Sequence, residues 1–223
     1  MAVQITTYGG LKAGVLAWLA RTGDTLLDSR FDDFLLNCER RIYYGHATED
    51  AGNPLRSDPL RIVDMETVDP AFALSATTPQ PASFRELISA QLNSPNAPLQ
   101  IVAQRTIDGY ASSTPGQPRL IAISGASFRV FPDPGAGAYT ATLRYYQKLA
   151  TPAGATVNAI LTNSPDVYLY GCLIEASIFT QDEPGALRYL PLYNASVSGL
   201  NARTQRITAS SVPVIRLRAG MIV

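Results

Sequence analysis

The chain of 223 residues is 46% apolar and 16% charged, a composition that excludes a disordered acidic tail, a collagen and a coiled-coil rod. Eighteen basic residues balance eighteen acidic ones, so no net field is available to hold a polyanion, as non-specific DNA binding requires. No apolar run approaches the roughly 20 residues of a membrane span, and no basic-then-apolar leader opens the chain. A soluble, non-exported protein without membrane association is expected.

The first predicted helix follows Thr6-Thr7-Tyr8-Gly9-Gly10 and runs over about Leu11 to Ala20, with Leu11, Val15, Trp18 and Leu19 on one buried face and Gly23 ending it. A second helix has Asp28 or Ser29 as its N-cap. Phe31, Phe34, Leu35, Cys38 and Ile42 form its stripe, acidic residues occupy its first turn, and Arg40 and Arg41 precede its end near Gly45. These two read as an antiparallel pair. Cys38 and Cys172 are the only cysteines, too few for a disulfide framework and without metal-ligand spacing, so buried free thiols are expected.

From about Asn53 to Thr151 prolines recur and the period shifts toward two. The runs 119–124 and 127–131 flank Gly125-Ala126, a hairpin signal. Tyr139 to Tyr146 alternates Tyr139, Ala141, Leu143 and Tyr145 with Thr140, Thr142, Arg144 and Tyr146, the pattern of a half-buried strand. Segments 72–74, 84–87 and 99–102 are weaker strand candidates. Helix returns at Ser164-Pro165-Asp166, a cap followed by proline at the first helical position. Val167, Tyr170, Ile174 and Ile178 lie on one face and Leu169, Leu173 and Ala176 on another, which places this helix in the middle of a bundle. A fourth helix follows Asp182-Glu183-Pro184, and Pro191 predicts a kink or a late start.

The expected architecture is α+β. Helices from residues 1–52 and 152–207 form an antiparallel four-helix bundle, residues 53–151 an inserted small antiparallel β-domain, and residues 208–223 an extended arm. No acidic residue occurs after Glu183, whereas Arg188, Arg203, Arg206, Arg216 and Arg218 remain. This is either an ordinary basic chain end or an element that docks on an acidic partner.

No motif carries catalysis. His46 is the only histidine; paired on paper with Cys38 it lacks a third group, and an exposed helix-end histidine is the simpler reading. Residues 9–14 have glycines but no Gly-Lys-[Ser/Thr], so they are not a phosphate loop. The pairs Asp32-Asp33 and Asp182-Glu183 sit at helix starts, where the dipole accounts for them. Neither a cofactor nor a metal site is expected.

One string is more specific. Tyr145-Tyr146-Gln147-Lys148-Leu149, a Pro-containing linker, then Ile160 to Gly171 with Leu161-Thr162-Asn163-Ser164-Pro165-Asp166 at its heart resembles the head–tail adaptor proteins of tailed bacteriophages. Residues 81–87, Pro118-Arg119, Phe131-Pro132-Asp133-Pro134, the opening helix and Glu39-Arg40-Arg41-Ile42 are similar to that family as well. The resemblance implies a non-enzymatic virion protein of the head–tail junction, synthesised in the host cytoplasm. It implies a homo-oligomeric ring of about twelve copies, which needs heterologous interfaces. The implied partners are the portal protein above and a tail or nozzle protein below, with genomic DNA passing through the lumen without sequence-specific binding. A balanced charge suits such a conduit, because DNA carries one negative charge per roughly 1.7 Å and a basic lumen would retain it. The resemblance also implies that the C-terminal arm reaches the portal, through Val212, Val214, Ile215, Arg216, Leu217 and Arg218. The alternative is a tail-associated binding module whose Tyr-rich β-domain recognises a carbohydrate or another cell-surface ligand.

Overall fold

The computed structural model describes residues 5–46, 55–110, 115–135, 137 and 139–208. Two units form: 1–63 together with 151–223, and 64–150.

In the first unit, α1 (Tyr8–Trp18) begins where the Thr7 side chain accepts a hydrogen bond from the Gly10 amide at 3.1 Å. Leu11, Val15 and Leu16 are buried, but Trp18 is half-exposed, its ring edge against Tyr170 and tilted toward Tyr189. The helix stops before Gly23. A short helix that periodicity did not signal, α2 (Thr25–Ser29), follows, capped by Asp24 accepting from the amides of Leu26 and Leu27. Asp28 and Ser29, the expected caps of the next helix, therefore lie inside α2. Phe31–Tyr44 forms α3 and ends at Gly45, whose φ of +69° favours glycine; a Cβ there would lie 2.6 Å from the Ser57 carbonyl oxygen.

Asn158 caps α5 (Ala159–Asn163) by accepting from the Leu161 amide. Pro165 then opens α6 (Pro165–Phe179) as its missing N–H allows, and α7 (Glu183–Thr208) completes the unit. α7 runs unbroken through Pro191 with no late start. Pro191, which removes the hydrogen bond to the Leu187 carbonyl, and Leu187 are both exposed, on a face of the helix open to solvent. α6 packs against α1, α3, α5 and α7. It is buried on several sides at once, from Val167 and Tyr168 through Cys172 and Ile174 to Ser177.

The second unit corrects the expected fold. It is not a small antiparallel insertion in a four-helix bundle but a seven-stranded mixed sheet, and the described residues hold seven α-helices in all. The strands are β1 (Glu66–Leu74), β2 (Thr77–Pro79), β3 (Phe84–Leu92), β4 (Ala97–Ile101), β5 (Leu120–Ser124), β6 (Ser127–Phe131) and β7 (Tyr139–Gln147), with α4 (Gln104–Asp108) between β4 and β5. Their order is β1-β7-β3-β4-β5-β6-β2. β4 and β5 are parallel, with Gln100 opposite Leu120 and Ile101 opposite Ile121. A parallel pair needs a crossover of about a dozen residues or more, and residues 102–119, carrying α4, supply it.

The order also curls the sheet. β1 and β2 lie at opposite edges, yet only Ser75 and Ala76 separate them in the chain. Crossing a flat sheet would mean six strand spacings of about 4.8 Å each, or roughly 29 Å, whereas the three Cα steps from Leu74 to Thr77 reach roughly 11 Å. The edges must approach each other, which makes the sheet a half-barrel. Its interior holds Leu92, Ile121, Phe128, Ala141 and Leu143, with Phe84 and Phe72 meeting Phe128 edge to face. The edges are blunted: β1 carries Pro70 and a register shift between Asp69 and Phe72, and β2 is three residues long and ends in proline.

Gly171 lies where α3 crosses α6, and a Cβ there would come within 2.3 Å of the Cys38 sulfur. Gly171→Ala is expected to cost about 1–3 kcal/mol by overpacking. Adding Cys38→Ala should restore part of the loss, a non-additivity that urea denaturation of the single and double variants would reveal.

Candidate functional site

Glu39, Arg40 and Arg41 are consecutive on α3, and a helix turns them about 100° apart, given 3.6 residues per turn. Glu39 and Arg41 are buried and Arg40 is exposed. The Arg41 guanidinium reaches α6, donating to one carboxylate oxygen of Glu175 from Nη2 at 2.8 Å and from Nε at 3.2 Å. Its Nη1 donates to the Leu55 carbonyl at 3.1 Å. Side-chain exposures of 5% and 13% place this ion pair in a weakly screened environment.

On the other flank, Glu39 accepts from the Thr151 hydroxyl at 2.8 Å and from the Tyr168 hydroxyl at 3.3 Å. Tyr168 accepts in turn from the Asn158 side-chain amide at 2.8 Å. Burial pushes the Tyr168 hydroxyl well above the ordinary tyrosine range, against the Asn158 bond, which lowers it. The hydroxyl therefore stays protonated and serves as a donor. These two networks clasp α3 to α6, to Leu55 beyond the end of α3 and to Thr151 and Asn158 ahead of α6.

Above the clasp an open groove of about 420 Å³ is lined by Asn37, Arg40, Tyr44, His46, Leu55 and Ile178, with Arg41 and Glu175 at its base. Tyr44 is 68% and Ile178 45% exposed. At the far end of α3, Asp32 accepts from the Tyr8 hydroxyl at 2.5 Å and Asp33 pairs with Arg30. Burial, then the bond to Asp32, push the Tyr8 hydroxyl up to about 12. Its raised value favours the folded state below pH about 10, and that contribution fades as pH climbs toward 12.

The expected arm residues Val212, Val214, Ile215, Arg216, Leu217 and Arg218 lie outside the described residues. Cys38 and His46 are not brought together: the Cys38 sulfur is buried and donates to the Tyr168 carbonyl at 3.8 Å, while His46 is exposed and its backbone bridges Ser57. Asp182 caps α7 through the Gly185 amide at 3.1 Å. Gly9 to Gly14 lie within α1. Among the described residues no His, Cys, Asp or Glu group is arranged to hold a metal ion, and no helix is long and apolar enough to cross a membrane. Sequence reasoning missed the groove. Its signal was there in Arg40 and Tyr44, spaced four apart on the side of α3 opposite the core stripe.

Two outcomes follow from this geometry. Glu175→Leu, which strands the buried Arg41 charge, should cost about 3–5 kcal/mol, and Arg41→Met in the same chain should recover most of it; denaturant midpoints measure both. Burial and the adjacent Cys172 thiol raise Cys38 well above the usual thiol range. A colorimetric thiol reagent at pH 8 should therefore leave Cys38 unlabelled until denaturant is added.

A family model described as SU10 adaptor protein matches residues 6–216. No curated protein matches the chain. The matched span takes in both units, from α1 through the seven strands to α7 and beyond it, and the chain belongs to the SU10 adaptor protein family, structural adaptor proteins of phages.

Proposed function

We propose that the protein is a head–tail connector that assembles beneath the portal as a ring of about twelve copies, extends the DNA channel and provides the platform on which tail components attach. An adaptor of this family is a virion component that associates with portal and tail proteins. The observation that carries the reading is the family match over residues 6–216, which includes 212–216 of the acid-free end. Within the described part of that end, Arg188, Arg203 and Arg206 are all exposed on α7, so the helix enters the terminal segment with charge of one sign. A docking arm built from Val212, Val214, Ile215, Arg216, Leu217 and Arg218 suits an acidic or strand-pairing partner on the portal. A chain with zero net charge suits a conduit that must release DNA.

Electron microscopy of the protein mixed with its portal complex tests the reading. A closed ring on the portal is expected, and a portal that stays bare would overturn it. Deletion of residues 209–223 should leave a chain with the wild-type thermal melt that no longer co-sediments with portal. Undiminished co-sedimentation would assign portal docking to another part of the molecule.

A further inference from the structure

Cys38 and Cys172 are the only cysteines of the chain, both are fully buried, and the crossing of α3 over α6 brings them together. The Cys38 sulfur lies against the turn of α6 that ends at Cys172. It donates to the Tyr168 carbonyl at 3.8 Å, the carbonyl that also takes the Cys172 amide in the helical ladder. A Cβ at Gly171 would lie 2.3 Å from this sulfur and 3.5 Å from the Cβ of Cys38. Side chains of an α-helix lean toward its N-terminus, so the Cys172 side chain covers the turn that carries Tyr168. There the two thiols meet in a hydrogen bond.

A buried thiol packs as a small apolar side chain does, so packing alone calls for neither sulfur. Two thiols in contact have a property that two alanines lack: they can lose two hydrogens and join.

We propose that Cys38 and Cys172 form a latent cross-link, open while the chain is made and closed by sustained mild oxidation into a disulfide that ties α3 to α6. Hydrogen peroxide transfers one oxygen to a thiol, giving a sulfenic acid and water. The second sulfur then attacks the sulfenic sulfur and expels a second water. One peroxide and two thiols thus become one disulfide and two waters. Tyr193 of α7 covers the crossing, its ring 3.4 Å from a Cβ at Gly171, so a small neutral oxidant has access where a bulky or charged one has none. Burial keeps Cys38 protonated, which makes closing slow and brief oxidation ineffective.

Cytosolic thiols are held reduced, whereas disulfides persist on released virions. Closing after release therefore rests on the virion role given above. The disulfide would enclose the whole second unit, 64–150, in one covalent loop and limit how far α3 and α6 can part as the chain unfolds.

The test exposes purified full-length protein to hydrogen peroxide under native conditions, alkylates it in denaturant without reductant, and maps the peptides by mass spectrometry. At least tenfold more of the linked Cys38–Cys172 peptide than in untreated protein is expected. Dithiothreitol should reverse the link, and the linked chain should have a higher denaturation midpoint than the reduced one. Free thiols throughout, while glutathione in the same tube oxidises, would overturn the pair. Sulfinic or sulfonic acids in place of the link, or disulfides between chains, would do the same. So would a link that forms only once denaturant is present, or one that lowers the midpoint. Particles purified without reductant should carry the closed form. An open pair in aged particles, beside a pair that closes in the purified protein, would overturn the timing alone. Particles that lack the chain would overturn the virion reading and leave the cross-link standing.

Discussion

A buried arginine is tolerable only where its charge is matched, and Arg41 is matched by a residue 134 positions away on α6. Around that contact the two ends of the chain are joined. α3 comes from the first fifth of the sequence and α6 from the last third, and neither buries its apolar side without the other. The close crossing at Gly171, where any side chain would meet the Cys38 sulfur, sets the helices near enough for the ion pair to form. Glu39 completes the arrangement from the opposite flank through Tyr168 and Thr151. A polar network satisfied in this way specifies one packing, because any slip of α3 along α6 would leave a buried charge without its partners.

The sheet obeys a constraint of another kind. A two-residue link between strands at opposite edges is a covalent limit, and the sheet answers it by curling. The curl lets a single apolar face enclose Phe128, Ile121 and Leu143 without a second sheet. Blunted edges at Pro70 and Pro79 disfavour pairing of the half-barrel with further strands.

For an adaptor, the consequence is a division of tasks along one helix. The buried side of α3 holds the helical unit together, and its exposed side lines the open groove with Arg40 and Tyr44 beside Ile178. Arg40 and Arg41 are neighbours in sequence and opposite in role, one tying the fold and the other facing outward.

Local signals were legible from the amino-acid sequence alone. Core stripes at three and four residues marked α3, alternation marked β7, Gly125 marked the turn between β5 and β6, and apolar residues on several sides of α6 marked a central helix, because each of these depends on neighbours within one or two turns. The resemblance around residues 139–171 pointed to the family for the same reason, as a contiguous string. α2 and α4 escaped notice because five residues are too few for a period to show. The parallel pairing of β4 with β5, the curl, the inward turn of Glu39 and Arg41 and the groove were settled only by the tertiary structure. Each joins segments distant in sequence, and long-range pairing leaves no periodicity for a linear reading to detect.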